Sequence, residues 1–168
     1  MAFFRATNGT QYFTCFYAQD DHRFSGMFYV LTDRSARYLS SIYKYTAIFC
    51  LLAFLLHLAL PLIIGATNTE QQEILFASFL IMDALAILPA ALMILNRKKV
   101  SIKDELLHVC KKGSVYVYLT VALVPLNYTI VMIWLAIYVF FTPYMLFMIA
   151  LTFATTMFSV YRIRQVLS

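Results

Sequence analysis

Four polar side chains interrupt the long apolar stretches of this sequence and are the residues best placed to do chemistry: His57, Asp83, Asn127 and Thr152. An imidazole and a carboxylate buried together can pass a proton, because ionisable residues inside a membrane often mark proton or ion paths. The same groups can instead join helices through hydrogen bonds, each contributing about 0.6 to 2 kcal/mol. With a single histidine and a single carboxylate in these stretches, the pattern favours the joining role.

The stretches that carry these residues have the length and composition of membrane spans. Hydrophobic residues make up 62% of the 168 residues and charged residues 12%, against about 45 to 50% and about 25% in soluble globular chains. A hydrocarbon core of about 30 Å needs about 20 helical residues. We therefore predict an integral membrane protein with four spans: residues 45–64, 74–95, 115–139 and 144–160.

The fold class predicted from these spans is all-α, a four-helix bundle over residues 45–160. The last two spans are separated at Thr142-Pro143, because proline removes a backbone donor and disfavours helical conformation in the residue before it. Residues 1–44 form an aromatic and basic arm, which we expect to lie along the membrane surface, since aromatics beside cations suit the interface. Docking of this arm on another protein is the alternative. Residues 161–168 form a short tail.

Lysine and arginine occur only outside the predicted spans. Five precede the first span, six lie in the loop 96–113 and two lie in the tail, which accounts for all 13. Because cytosolic loops carry an excess of these residues, both termini are predicted to be cytosolic, or to face the matrix in a mitochondrial inner membrane. Endomembrane and plasma membrane are the other candidate locations. The six loop cations are predicted to face anionic lipid headgroups: Arg97, Lys98, Lys99, Lys103, Lys111 and Lys112.

The loop 96–113 has a local helical signal of its own. Ser101 followed by Asp104 resembles the start of a capping box, and apolar residues recur after it at helical spacing. We predict a short interfacial helix in this loop. Cys110 stands beside two lysines, which makes it a candidate for palmitoylation, although an unmodified thiol is the state that we expect.

Depth in the membrane relates the four polar residues to one another. His57 lies 12 residues beyond Tyr45, Asp83 lies 12 before Leu95, and Asn127 lies 12 beyond Val115. At 1.5 Å per residue each is about 18 Å from the cytosolic end of its span. Thr152 lies at a comparable depth in the last span. The sequence thus predicts a polar layer across the bundle.

The sequence contains none of the motifs that would indicate catalysis or a bound group. HExxH, GxSxG and P-loop patterns are absent, and three scattered cysteines do not form a metal-binding or disulfide pattern. We therefore expect no enzymatic activity, no metal, no cofactor and no nucleic-acid partner. The predicted function is lateral association with other membrane proteins or with itself, as an accessory subunit, a trafficking factor or an organiser of a larger assembly. A small proton-coupled transporter or channel using His57 and Asp83 is the alternative.

Overall fold

The computed structural model describes most of the chain as strands joined to long helices. The described residues are 1–14, 17–20, 23–64, 74, 77, 81, 84, 99–104, 107–138 and 141–168. Their strands are β1 (Ala2–Arg5), β2 (Gln11–Thr14), β3 (Tyr17–Asp20), β4 (Arg23–Leu31), β5 (Lys99–Asp104) and β6 (His108–Val109). Their helices are α1 (Asp33–Ile64), α2 (Lys111–Tyr138) and α3 (Pro143–Leu167).

The strands form one antiparallel sheet that curls back on itself. Residues 24–26 of β4 pair with both β3 and β5, so these two strands lie on opposite edges of β4. Beyond β4, β2 pairs with β1 and β1 with β6. The outer strands β5 and β6 are consecutive in the chain, and the four Cα steps from Asp104 to His108 span at most about 14 Å. The two edges of the sheet are therefore held close together.

Side chains alternate between the two faces of this sheet, as strand geometry requires. On β1, Ala2 and Phe4 join one core cluster, whereas Phe3 joins another. The first cluster fills the curl of the sheet: Ala2, Phe4, Ala6, Phe24, Phe28 and Leu107, with Tyr118 of α2 and Val166 of α3. The second cluster joins the sheet to the helices: Phe3, Phe13 and Leu31, with Ala36, Leu39 and Tyr43 of α1 and Val117 of α2.

The helices run from the sheet with α2 in the middle, because α2 packs against both α1 and α3. α1 and α2 both begin at the sheet and are therefore parallel. α3 begins at Pro143, after the break at Thr142-Pro143, and Val166 in its last turn packs in the sheet core. Three helical segments are long and apolar enough to cross a membrane: Asp33–Ala59, Lys111–Ile137 and Pro143–Leu167.

The predicted all-α four-helix bundle is wrong. The described chain has three candidate membrane-crossing helices and a curled antiparallel sheet. Residues 1–44, predicted as a surface arm, contain four of the strands and the first 12 residues of α1. The predicted interfacial helix in the loop 96–113 is also wrong, because residues 99–104 pair with β4 and residues 108–109 pair with β1. The predicted span 74–95 lies outside the described residues, apart from four helical positions, 74, 77, 81 and 84.

The physical reason for the sheet is a hairpin signal and a high content of aromatic residues, which favour strands, near the N-terminus. Asn8-Gly9 is a strong signal for a hairpin turn, and here it joins β1 to β2. The Gly9 amide donates to the carbonyl of Ala6, and the Ala6 amide donates to the carbonyl of Thr10, both at 2.9 Å. Gly9 has a φ of 85°, as expected for the last residue of a three-residue hairpin loop.

Replacing Gly9 with alanine is expected to lower the free energy of unfolding of the sheet by about 1 kcal/mol, because L-residues other than glycine are strained at positive φ. The cost is one of backbone conformation alone, since a Cβ added at Gly9 meets no atom within 4 Å. Chemical denaturation of the purified chain measures it. Gly9→Asn is the matched control and should cost less, because asparagine tolerates this conformation. Equal losses in both variants would contradict a purely conformational role.

Candidate functional site

His57 and Asn127 contact each other between α1 and α2. His57 is 3% exposed and Asn127 is fully buried. Nδ1 of His57 lies 2.9 Å from Oδ1 of Asn127, and because an amide oxygen only accepts, Nδ1 carries the proton in this hydrogen bond. The Asn127 amide nitrogen donates to the carbonyls of Cys50 on α1 at 3.2 Å and of Leu123 at 2.9 Å. One asparagine thus connects the two helices twice.

Thr152 contacts a different residue, on the opposite side of α2. Its hydroxyl lies 2.6 Å from the hydroxyl of Thr129, and it also donates within α3 to the carbonyl of Met148 at 2.8 Å. The hydroxyl of Thr156, one turn further along α3, lies 3.0 Å from the carbonyl of Thr152 in its own helix and 3.4 Å from the carbonyl of Ala122 on α2. These threonines form hydrogen bonds between α3 and α2 at about the level where Asn127 forms hydrogen bonds between α2 and α1.

The fourth member of the predicted layer, Asp83, lies outside the described residues. The structure therefore brings His57 and Asn127 together, and Thr152 to Thr129. Among the residues described, no three His, Cys, Asp or Glu side chains are grouped as metal ligands.

The predicted lipid-facing cations lie at the sheet end of the molecule wherever the structure describes them. Lys99 and Lys103 are part of β5, and Lys111 and Lys112 are exposed at the start of α2. Arg97 and Lys98 lie outside the described residues. The remaining described lysines and arginines are also in the sheet, the first 12 residues of α1 or the last six of α3.

A cleft of about 460 Å³ lies where the sheet meets the first turns of α1 and α2. β1 and β2 contribute the side chains of Phe3, Arg5 and Gln11, and α1 contributes the charged residues Asp33 and Arg37. We call this cavity the junction cleft. Its full lining is Phe3, Arg5, Gln11, Asp33, Ala36, Arg37, Ser40, Cys110 and Gly113.

Two guanidinium groups of the junction cleft are held by the chain itself. Arg5 and Gln11 are paired across β1 and β2, and the Gln11 amide oxygen, in its hydrogen-bonding orientation, accepts from Nε of Arg5 at 3.1 Å and from Nη2 at 3.2 Å. Nε of Arg37 donates to the main-chain carbonyl of Asp33 at 3.4 Å, within the first turns of α1. These three bonds leave other N–H groups of both guanidinium groups available for a ligand.

Cys110, the candidate for palmitoylation, lines the junction cleft. Its thiol is free and the residue is partly buried. Its amide donates to the carbonyl of Phe3 at 2.7 Å, so the residue is fixed to β1. Palmitoylation of Cys110 stays a prediction.

Sequence reasoning did not bring Arg5, Arg37 and Cys110 together, because they come from three segments that meet only through the sheet. A partial signal was present in the alternation of β1, which places Phe3 and Arg5 on one face. Arg37 lies near this face of β1 only because α1 packs against the sheet through Ala36 and Leu39. That packing is tertiary and has no local signal in the sequence.

No protein-family model, curated protein or solved structure matches this chain.

Proposed function

We propose that this chain is a non-enzymatic multi-pass membrane protein that acts by lateral association, as an accessory subunit, a trafficking factor or an organiser of a larger membrane assembly. The observation that carries the proposal is the apolar surface left over by the helices. Only 28% of the residues in an apolar 18-residue stretch of α1, and 17% of those in such a stretch of α3, are buried within the molecule. Most of both helices is therefore available to lipid or to another membrane protein.

The polar contacts between the helices support a role in joining rather than in transport. The Asn127 amide has both its oxygen and its nitrogen in hydrogen bonds with α1 or with its own helix. The hydroxyls of Thr129 and Thr152 lie within hydrogen-bond distance of each other and of carbonyls of their own helices. Groups used in this way hold helices in register.

The distribution of charge supports an orientation for the assembly. In the described part of the chain, lysine and arginine occur at the sheet end of the helices and not at the opposite end. By the excess of such residues on the cytosolic side, the curled sheet and both chain ends face the cytosol, or the matrix if the membrane is mitochondrial. Reporter fusions at each terminus test this orientation, and an external reporter at either end would refute it.

Affinity purification from native membranes after crosslinking tests lateral association directly. The chain is expected to be recovered with a larger partner or with a second copy. Substitutions that change shape but keep the surface apolar separate protein contacts from lipid contacts, because lipid tails adapt to such changes whereas packed helices do not. Leu52→Ala with Leu56→Ala on the exposed face of α1, and Phe147→Ala with Phe158→Ala on α3, form two matched variants.

Loss of the crosslinked species in one of these variants and not in the other would assign the partner to that helix. Recovery of the wild-type chain as a strict monomer, with no crosslinked partner, would refute lateral association.

The alternative function is proton-coupled transport, and the observation that favours it is the burial of an ionisable residue, His57, in a candidate span. Flux through the purified chain in liposomes distinguishes the two functions. Collapse of flux in Asp83→Asn would support transport, whereas unchanged flux in this variant would exclude a role for that carboxylate.

A further inference from the structure

We infer that the junction cleft binds the phosphate group of an anionic phospholipid headgroup. This inference goes beyond lateral association, because lipid binding at the cleft can be present or absent whichever proteins the chain associates with.

The first step is the charge of the cleft. Arg5 and Arg37 contribute two positive charges, and Asp33 contributes one negative charge. Two further cations, Lys111 and Lys112, are exposed directly after the lining residue Cys110. Guanidinium groups suit phosphate because their planar array of N–H donors matches the oxygens of the anion. The net charge of the cleft and its surroundings therefore selects an anion.

The second step is size and fixed geometry. A volume of about 460 Å³ falls within the range of small-ligand sites, about 300 to 1,000 Å³. Arg5 is restrained by Gln11, and Arg37 by the backbone of α1. Restrained donors lose less conformational entropy when they bind a ligand.

The third step is the level of the cleft relative to the membrane. Ser40 and Arg37 precede Tyr45 by five and eight residues on α1, which corresponds to about 7.5 and 12 Å along the helix. Tyr45 is 67% exposed, with the Lys44 ammonium 6.0 Å from its ring centre, a pairing suited to the membrane–water interface. The cleft therefore lies at the level of the lipid headgroups, just outside the hydrocarbon core.

The fourth step favours a lipid over a free phosphate. The face of α1 that carries Arg37 continues at helical spacing through Lys44 to Ile48, Leu51 and Leu55. These three apolar residues are 46%, 45% and 53% exposed. An acyl chain can lie along this apolar face while its headgroup phosphate contacts the arginines above it.

The rate at which N-ethylmaleimide alkylates Cys110 measures occupancy of the cleft, because Cys110 lines the cleft and a bound headgroup would shield its thiol. The full chain is used with Cys15→Ser, and Cys50 is fully buried. In nanodiscs, replacing part of the phosphatidylcholine with phosphatidylglycerol is expected to slow alkylation about five- to tenfold, the effect of about 1 to 1.4 kcal/mol of binding free energy.

Charge variants identify the groups responsible. Arg37→Gln and Arg5→Gln should each abolish most of the protection, whereas Asp33→Asn should increase it, because the carboxylate repels phosphate. Arg34→Gln is the matched control, since Arg34 is exposed on the same turn of α1 and does not line the cleft. Arg5→Lys keeps the charge on β1 and should retain part of the protection.

Three outcomes would overturn the inference. Phosphatidylglycerol could give no protection, or Arg34→Gln could abolish protection as fully as Arg37→Gln, which would indicate general surface charge. Inorganic phosphate in phosphatidylcholine nanodiscs could protect as well as phosphatidylglycerol, which would assign the cleft to a soluble phosphate. Protection by the lipid alone, lost in both cleft arginine variants and kept in Arg34→Gln, supports it.

Discussion

Replacing Phe4 with alanine is expected to destabilise the curled sheet by about 3 to 5 kcal/mol, the range for removing a buried phenylalanine. The Phe4 side chain is fully buried. Its ring centre lies 4.9 Å from that of Tyr17, 4.9 Å from that of Phe24 and 5.4 Å from that of Phe28, each in edge-to-face geometry. Such aromatic pairs contribute about 0.5 to 1.5 kcal/mol beyond their buried area. The substitution removes three pairs and leaves a cavity.

Thermal unfolding of the purified chain in detergent, combined with limited proteolysis of residues 1–31, measures this loss. Met27→Ala on β4 is the matched control, because the Met27 side chain is 64% exposed and should change the midpoint little. A midpoint for Phe4→Ala close to that of the control would show that the cluster around Phe4 does not hold the sheet together.

The candidate membrane-crossing helices were the part of the fold that could be predicted from the sequence. Helix length and apolar composition are local properties, and three described helices have both. The interruption at Thr142-Pro143 is local as well, since proline changes the backbone of its own residue and of the one before it. α3 begins at this proline.

The sheet could not be predicted from local sequence, because its strands are stabilised by pairing with segments that are distant in the chain. β1 pairs with β6, which comes more than 100 residues later in the chain. β4 pairs with β5, although α1 comes between them in the sequence. Residues 99–104 also carry a local signal for a helix start at Ser101, and strand pairing overrides it. Aromatic residues beside arginines fit both a membrane surface and a sheet core, so composition did not distinguish the two.

The contacts between the helices and the junction cleft also differ in how far local sequence could predict them. Counting residues from the ends of the spans placed His57 and Asn127 at one depth, and these two side chains are in contact. The count could not give the position of Thr152 relative to them, because the side of α2 that faces each neighbour depends on packing. The junction cleft depends on sheet pairing throughout and had no counterpart in the sequence prediction.

Replacing Asn127 with leucine is expected to weaken the α1–α2 interface by about 1 to 3 kcal/mol. The substitution keeps an apolar side chain of similar size but removes the hydrogen bonds to His57 and to the Cys50 carbonyl. Interhelical hydrogen bonds in membranes contribute on average about 0.6 kcal/mol and at most about 1.7 kcal/mol. Polar groups left in a dry interface add a desolvation cost when their partner is removed.

The alkylation rate of Cys50 is a direct measure of this interface, because Cys50 is fully buried between the helices. In a background with Cys15→Ser and Cys110→Ser, Asn127→Leu should accelerate alkylation about fivefold or more, since the rate follows the population of opened molecules. Thr155→Val is the matched control. Thr155 is exposed and donates only to the carbonyl of Leu151 in its own helix, so its replacement should leave the rate unchanged.

A double-mutant cycle then separates the His57 bond from the rest. Replacing both partners of a buried hydrogen bond by apolar groups can be nearly neutral, so His57→Leu combined with Asn127→Leu should be less destabilising than the sum of the single variants. The difference is expected to be about 0.6 to 1.7 kcal/mol. Strict additivity would show that the 2.9 Å contact between His57 and Asn127 contributes nothing to holding α1 against α2, and the polar residues would then need a role other than joining helices.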